Sequence, residues 1–134
     1  MKSSLIAFFA ALIVFCLLDA VWLGIFAQAF YQAQVGPLLL AQPNWGAAAL
    51  FYPMYIAGIV LFVVRPALAA HNLGQALVYG ALFGIICYGT YDLTNLATLR
   101  GWTTTVVVVD LVYGAFETAV AAACAFLAVT FTTR

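Results

Sequence analysis

The chain has 134 residues, 68% of them hydrophobic and 6% charged, with a formal net charge of +0. Soluble domains average about 45–50% apolar and about 25% charged residues. A chain this short has too little interior to hide so many large apolar side chains from water, so lipid is its solvent. Zero net charge argues against nucleic acid and against any partner recruited by a strong electrostatic field.

A membrane-crossing helix needs about 20 mainly apolar residues, and four segments qualify, together forming a single membrane domain over residues 1–134. The first covers about 4–31. Lys2, an apolar run and Ala27-Gln28-Ala29 imitate a secretory leader, but the run from Leu5 to Phe26 is too long for a leader core and is expected to be a membrane helix. It carries Asp19, with Trp22 at i+3 on the same face. The connection that follows, "QAQVGPLLLAQPNW", is apolar in its middle and reads as an interfacial short helix or loop, broken at Gly36-Pro37 and Pro43-Asn44. The second span, about 46–69, holds Tyr52 and Tyr55 around Pro53, where a kink is expected, and stops at Arg65-Pro66.

The third span, about 74–98, presents Gly80, Gly84, Tyr88, Asp92 and Asn95 as one stripe at i+3 and i+4 spacing, with Tyr91 beside it. Gly80 and Gly84 form a GxxxG pair, which lets a neighbouring helix approach closely. After Arg100-Gly101 the fourth span, about 104–130, carries a second stripe of Asp110, Tyr113, Gly114, Glu117 and Ala121. These small and polar stripes look inward, and the leucines, valines and phenylalanines look at lipid. The expected architecture is therefore an all-α membrane protein, a four-transmembrane-helix bundle.

Basic residues set the orientation. Lys2, Arg65 and Arg134 fall at one end of a four-span chain and Arg100 at the other, which places both termini in the cytoplasm. All four acids, Asp19, Asp92, Asp110 and Glu117, lie within spans. A carboxylate at mid-membrane costs roughly 2.5–3.5 kcal/mol on insertion scales and normally faces the bundle interior or water. Counted at about 1.5 Å per residue, Asp19, Asp92 and Asp110 reach nearly one level, roughly 21–24 Å from the cytoplasmic boundary. Glu117 lies two turns deeper on the face of Asp110. Cys16, Cys87 and Cys124 are odd in number and embedded in apolar runs, so they read as packing residues. With one histidine, His71, in a loop, and no GxSxG, P-loop or CxxC, no metal site or cofactor is expected.

"LLDAVWLG", "FYQAQVGPLL", "LFYPMYIAGIVLFVVRPALA", "YDLTNLATLRGW" and "VVDLVYG" together resemble the bacterial membrane-protein family called domain of unknown function 2177, and the likeness runs over nearly the whole chain. The resemblance implies a small four-span protein of the bacterial inner membrane and brings no activity with it.

Three functions stay open. The first is a site for a small polar or amphipathic ligand, lipid-derived and proton-linked among the options. It would be formed by Asp19, Trp22, Tyr88, Tyr91, Asp92, Asn95, Asp110, Tyr113 and Glu117. The second is a non-catalytic accessory subunit of a larger membrane complex. The third is a lipid or isoprenoid enzyme with Asp92 and Asp110 as acid and base, which also needs Arg100 turned inward. Beyond the bilayer itself, the partners in view are that ligand and another membrane protein or a second copy of the chain. Transport would require a homodimer, because four spans give little material for alternating access.

Overall fold

The computed structural model describes residues 2–133, and Arg134, one of the basic residues counted toward orientation, lies outside the described residues. Four long helices cover most of the chain: α1 (Lys2–Leu38), α2 (Trp45–Ala69), α3 (Leu73–Thr98) and α4 (Thr104–Thr132), each long and apolar enough to cross a membrane. With four crossings, Lys2 and Thr133 come to one end of the bundle, here the termini end. The 39–44 connection and the 99–103 turn mark the distal end.

Local chemistry sets the helix boundaries. Asn44 Oδ1 accepts from the Ala47 amide at 3.1 Å, Asn72 Oδ1 from Gln75 at 3.1 Å, and Thr103 Oγ1 from Val106 at 3.3 Å. Each satisfies an amide that the first helical turn leaves without a partner. Between α2 and α3 the Asn72 amide donates back to Ala67 at 3.0 Å and the His71 amide to Leu68 at 3.1 Å, with His71 at φ 50. This closure satisfies the last carbonyls of α2. In the α3–α4 turn the left-handed position, φ 85, falls on Gly101, where no side chain opposes it.

Lipid offers no hydrophobic force to drive helices together, so close packing of small residues must do so. A methyl group on Gly84 would lie 2.2 Å from the Gly114 carbonyl oxygen, and one on Gly80 would lie 2.8 Å from the Ala119 Cα. The GxxxG stripe is thus the seam along which α3 lies on α4. Ala7, Ala11 and Phe15 of α1 meet Ala121, Ala122, Ala125 and Val129 of α4, and Ile56, Ile59, Val60, Val63 and Val64 of α2 close the same core. Outward, Leu5, Phe9, Ile13 and Leu17 form an exposed strip on α1 for lipid.

Two features depart from a plain reading of the spans. α1 continues past the first apolar run through Gln28–Val35 and a 3₁₀ turn, Gly36–Leu38, so much of the stretch read as a connection is helix. Both α1 and α2 also contain a π-helical turn, Trp22–Ala27 and Val60–Val64. A π turn holds one more residue than an α turn and so rotates everything beyond it. Pro53 sits inside α2 and removes one backbone hydrogen bond there.

Candidate functional site

The termini half of the bundle is filled and the distal half is hollow. Beyond Ile59 the Val60–Val64 turn packs against α3 and α4, but on the distal side of that point the α2 backbone leans on α1 and stands off its other neighbours. Aromatic side chains bridge the gap. The Tyr55 ring meets Phe51 at 5.3 Å, Phe83 at 5.7 Å and Phe15 at 5.2 Å, and its hydroxyl bonds the Thr118 hydroxyl at 2.8 Å. Above Tyr55 a cavity of about 750 Å³ remains between the four helices.

Every helix contributes to its wall. α1 supplies Asp19, Trp22, Leu23, Tyr31 and Val35, and α4 supplies Asp110 and Tyr113. Leu38 and Leu39 border it at the distal end, next to Trp102 from the α3–α4 turn. α2 gives Phe51, Met54 and Tyr55, while α3 gives a row from Ile86 to Tyr91. Met54, Ile86 and Tyr91 are all more than half exposed. The side between α2 and α3 is therefore open toward what surrounds the bundle, at membrane depth. At the distal end Thr103 Oγ1 donates to Gln34 Oε1 at 2.9 Å and ties the α3–α4 turn to α1.

The four acids form two pairs. Asp92 and Asp110 each lie six residues from the helix end that borders the 99–103 turn, so the hairpin brings them to one level within interaction range. The Tyr31 hydroxyl donates to Asp110 Oδ1. Asp92 is fully buried behind the wall beside Asp110 and the Trp102 indole, yet neither of its oxygens nor Trp102 Nε1 has a hydrogen-bond partner of good geometry. Asp19, counted from Lys2, and Glu117, counted from Thr132, rise to similar heights, and these two form the second pair. The Tyr52 hydroxyl donates to Asp19 Oδ2 at 2.7 Å. Tyr88 and Tyr113 donate to Glu117 at 2.8 and 3.2 Å.

Of the residues singled out in the sequence, Asp19, Trp22, Tyr88, Tyr91, Asp110 and Tyr113 line the cavity. Trp22 lies flat on Tyr113, with centroids 4.3 Å apart and planes at 13°, and Tyr91 meets Trp102 edge-on at 5.5 Å. Asp92 and Glu117 are buried just outside the wall. Asn95 is half-buried and not part of it, and its carbonyl instead accepts from the Leu99 amide at 2.8 Å. Arg100 is exposed in the turn and forms no ion pair among the described residues. Sequence reasoning passed over Tyr31, Trp102 and Leu38–Leu39. The apolar "PLLL" run was the one signal that its segment faces something other than water. Among the described residues no group of three His, Cys, Asp or Glu could hold a metal ion.

Four crossing helices, packed in one half and hollow in the other, with every acid inside, define a small multi-pass membrane protein with an intramembrane cavity. The chain belongs to the family described as "Predicted membrane protein (DUF2177)", whose family model matches residues 4–127. No curated protein and no solved structure matches it.

Proposed function

We propose that this protein binds a small amphipathic, lipid-derived ligand in its distal cavity, which the ligand enters sideways from the bilayer between α2 and α3. The observation that carries this reading is the combination of about 750 Å³ of space, a mostly apolar and aromatic wall, and two carboxylates, Asp19 and Asp110, set into it. Binding cavities commonly pair an apolar lining with a few convergent polar groups. Two carboxylates held at a cost inside a membrane are hard to explain as interhelix bonds alone, since such bonds average about 0.6 kcal/mol. The open side gives a lipid-like molecule a route that does not cross water.

An accessory subunit would have its polar residues closed over by packing, whereas Asp19 and Asp110 border open volume. A lipid enzyme would need a positive group near the carboxylates to stabilise developing charge, and Arg100 lies exposed in the turn. The bacterial inner membrane, with both termini in the cytoplasm, completes the proposal. It rests on Lys2 and Arg65 at the termini end, and it turns the cavity toward the outer leaflet.

Native mass spectrometry of the full chain, purified in mild detergent, tests the reading. Wild type and a lipid-face variant, Ile13→Trp, should carry the same discrete adduct, and a cavity-filling variant, Cys87→Phe, should lose it while keeping its helical circular dichroism. A folded Cys87→Phe that retains the adduct, or a wild type without any adduct, overturns the proposal.

A further inference from the structure

We infer that the ligand of this cavity carries a positive charge: a lipophilic cation, such as a protonated or quaternary amine on an apolar body. The inference rests on the binding reading above and names its ligand class.

Charge balance comes first. Asp92 and Glu117 are fully buried and Asp110 is 6% exposed. The described bases, Lys2, Arg65 and Arg100, all sit exposed at helix ends, and His71 is exposed in a turn. Among the described residues no side chain therefore brings positive charge to the carboxylates. Buried charges are normally paired; one shared proton per pair can neutralise the enclosed members, Asp92 and Glu117, and leaves Asp110 and Asp19, the members that line the cavity, to a partner from outside. An anionic ligand would meet Asp19 and Asp110 as like charges, and a neutral one would leave them uncompensated.

Acceptor capacity points the same way. An ionised carboxylate offers about four lone-pair sites, and among the described residues one hydroxyl reaches each, Tyr31 on Asp110 and Tyr52 on Asp19, beside the neighbouring carboxyl of each pair. Asp92 is completely buried, has no bonded partner on either oxygen, and faces Asp110 and Trp102, two residues of the wall. Donors are thus in short supply where acceptors are concentrated; a protonated amine supplies them, and a quaternary head, which has no N–H, supplies its charge alone.

The rest of the wall suits a cation too. Aromatic faces attract cations within about 6 Å of the ring centroid, tryptophan best. The flat Trp22–Tyr113 pair stands between Asp19 and Asp110, and Tyr31, Tyr91 and Trp102 border the other side of Asp110. A cation in the cavity would have aromatic faces around it and a carboxylate at each end.

The test uses the full chain in lipid nanodiscs with three probes of similar shape: tetraphenylphosphonium (cation), tetraphenylborate (anion) and triphenylphosphine oxide (neutral), each corrected with empty nanodiscs. Saturable binding of the phosphonium alone is expected. Asp19→Asn and Asp110→Asn should each weaken it about tenfold, about 1.4 kcal/mol for the loss of one opposite charge near the cation, with Asp110→Glu recovering part of the loss. Equal or tighter binding of the anion or the neutral probe overturns the inference, as does unchanged phosphonium binding in both asparagine variants. If the adduct is still lost from Cys87→Phe in those cases, the binding reading survives and only the charge assignment falls. If no probe binds and no adduct exists, both fall.

Discussion

Asp110 keeps its place through one hydroxyl. Tyr31 donates to it across the gap between α1 and α4, and the Asp92 carboxyl lies on its other side. Hydrogen bonds to charged groups are worth about 1.5–3 kcal/mol. Bonds between membrane helices are worth less, about 0.6 kcal/mol on average and about 1.7 at most. Tyr31→Phe, at the charged end of that range, should therefore lower unfolding stability in detergent by about 1–1.7 kcal/mol, measured by thermal or dodecyl sulfate titration, and Tyr79→Phe, on an exposed face without a hydrogen bond, should leave it unchanged. The Asp92–Asp110 pairing was open to sequence reasoning, because both residues are the same short distance from the "LRGWT" turn. Asp19 was expected level with those two and instead meets Glu117. Counting both from the termini end gives that result, but it requires knowing how far α4 runs. Tyr31 was not legible. It lies 12 residues beyond Asp19, and at about 100° per residue a straight α-helix would turn it about 120° away.

The π turn at Trp22–Ala27 resolves that misfit at the scale of the element. One residue absorbed into the wider turn leaves Tyr31 only about 20° from Asp19, on the inner face. Trp22 and Ala27 also stay inside together, one lining the cavity and the other fully buried, although five residues separate them. Deleting Gly24, whose Cα has nothing within 4 Å where a side chain would stand, should restore α-helical register and swing Tyr31 off Asp110. In that background Tyr31→Phe should cost less than about 0.5 kcal/mol, against the larger loss in the intact chain. A double-mutant cycle by unfolding measures the difference, and additive effects would show that the turn does not position Tyr31. No hydrophobic pattern announces a π turn, because apolar residues surround it on every side. The α3–α4 seam, by contrast, was plain in Gly80 and Gly84, since only glycine permits that approach.

At the scale of the whole molecule, four spans follow from composition and apolar length alone, and so does the inward turn of their acids. The hollow half does not. It exists because α2 packs at Val60–Val64 and stands off α3 nearer the distal end, a balance among four helices that no single stretch encodes. The proposed orientation has its own check. A cysteine at Ala41, in the distal connection, should react with a membrane-impermeant maleimide in spheroplasts, and one at Ala70, in the α2–α3 turn, should react only after lysis. The reverse pattern would turn the cavity toward the cytoplasmic leaflet.

Phe15, Ile56 and Ile59 fill the bundle just below the cavity, each fully buried. They form a floor, so on the proposed reading a guest would depart by the route it took in. Its occupancy would then follow the abundance of that guest in one leaflet and be indifferent to the other. A protein so built would gauge bilayer asymmetry, filling when its side of the membrane is enriched and emptying when the two sides are scrambled.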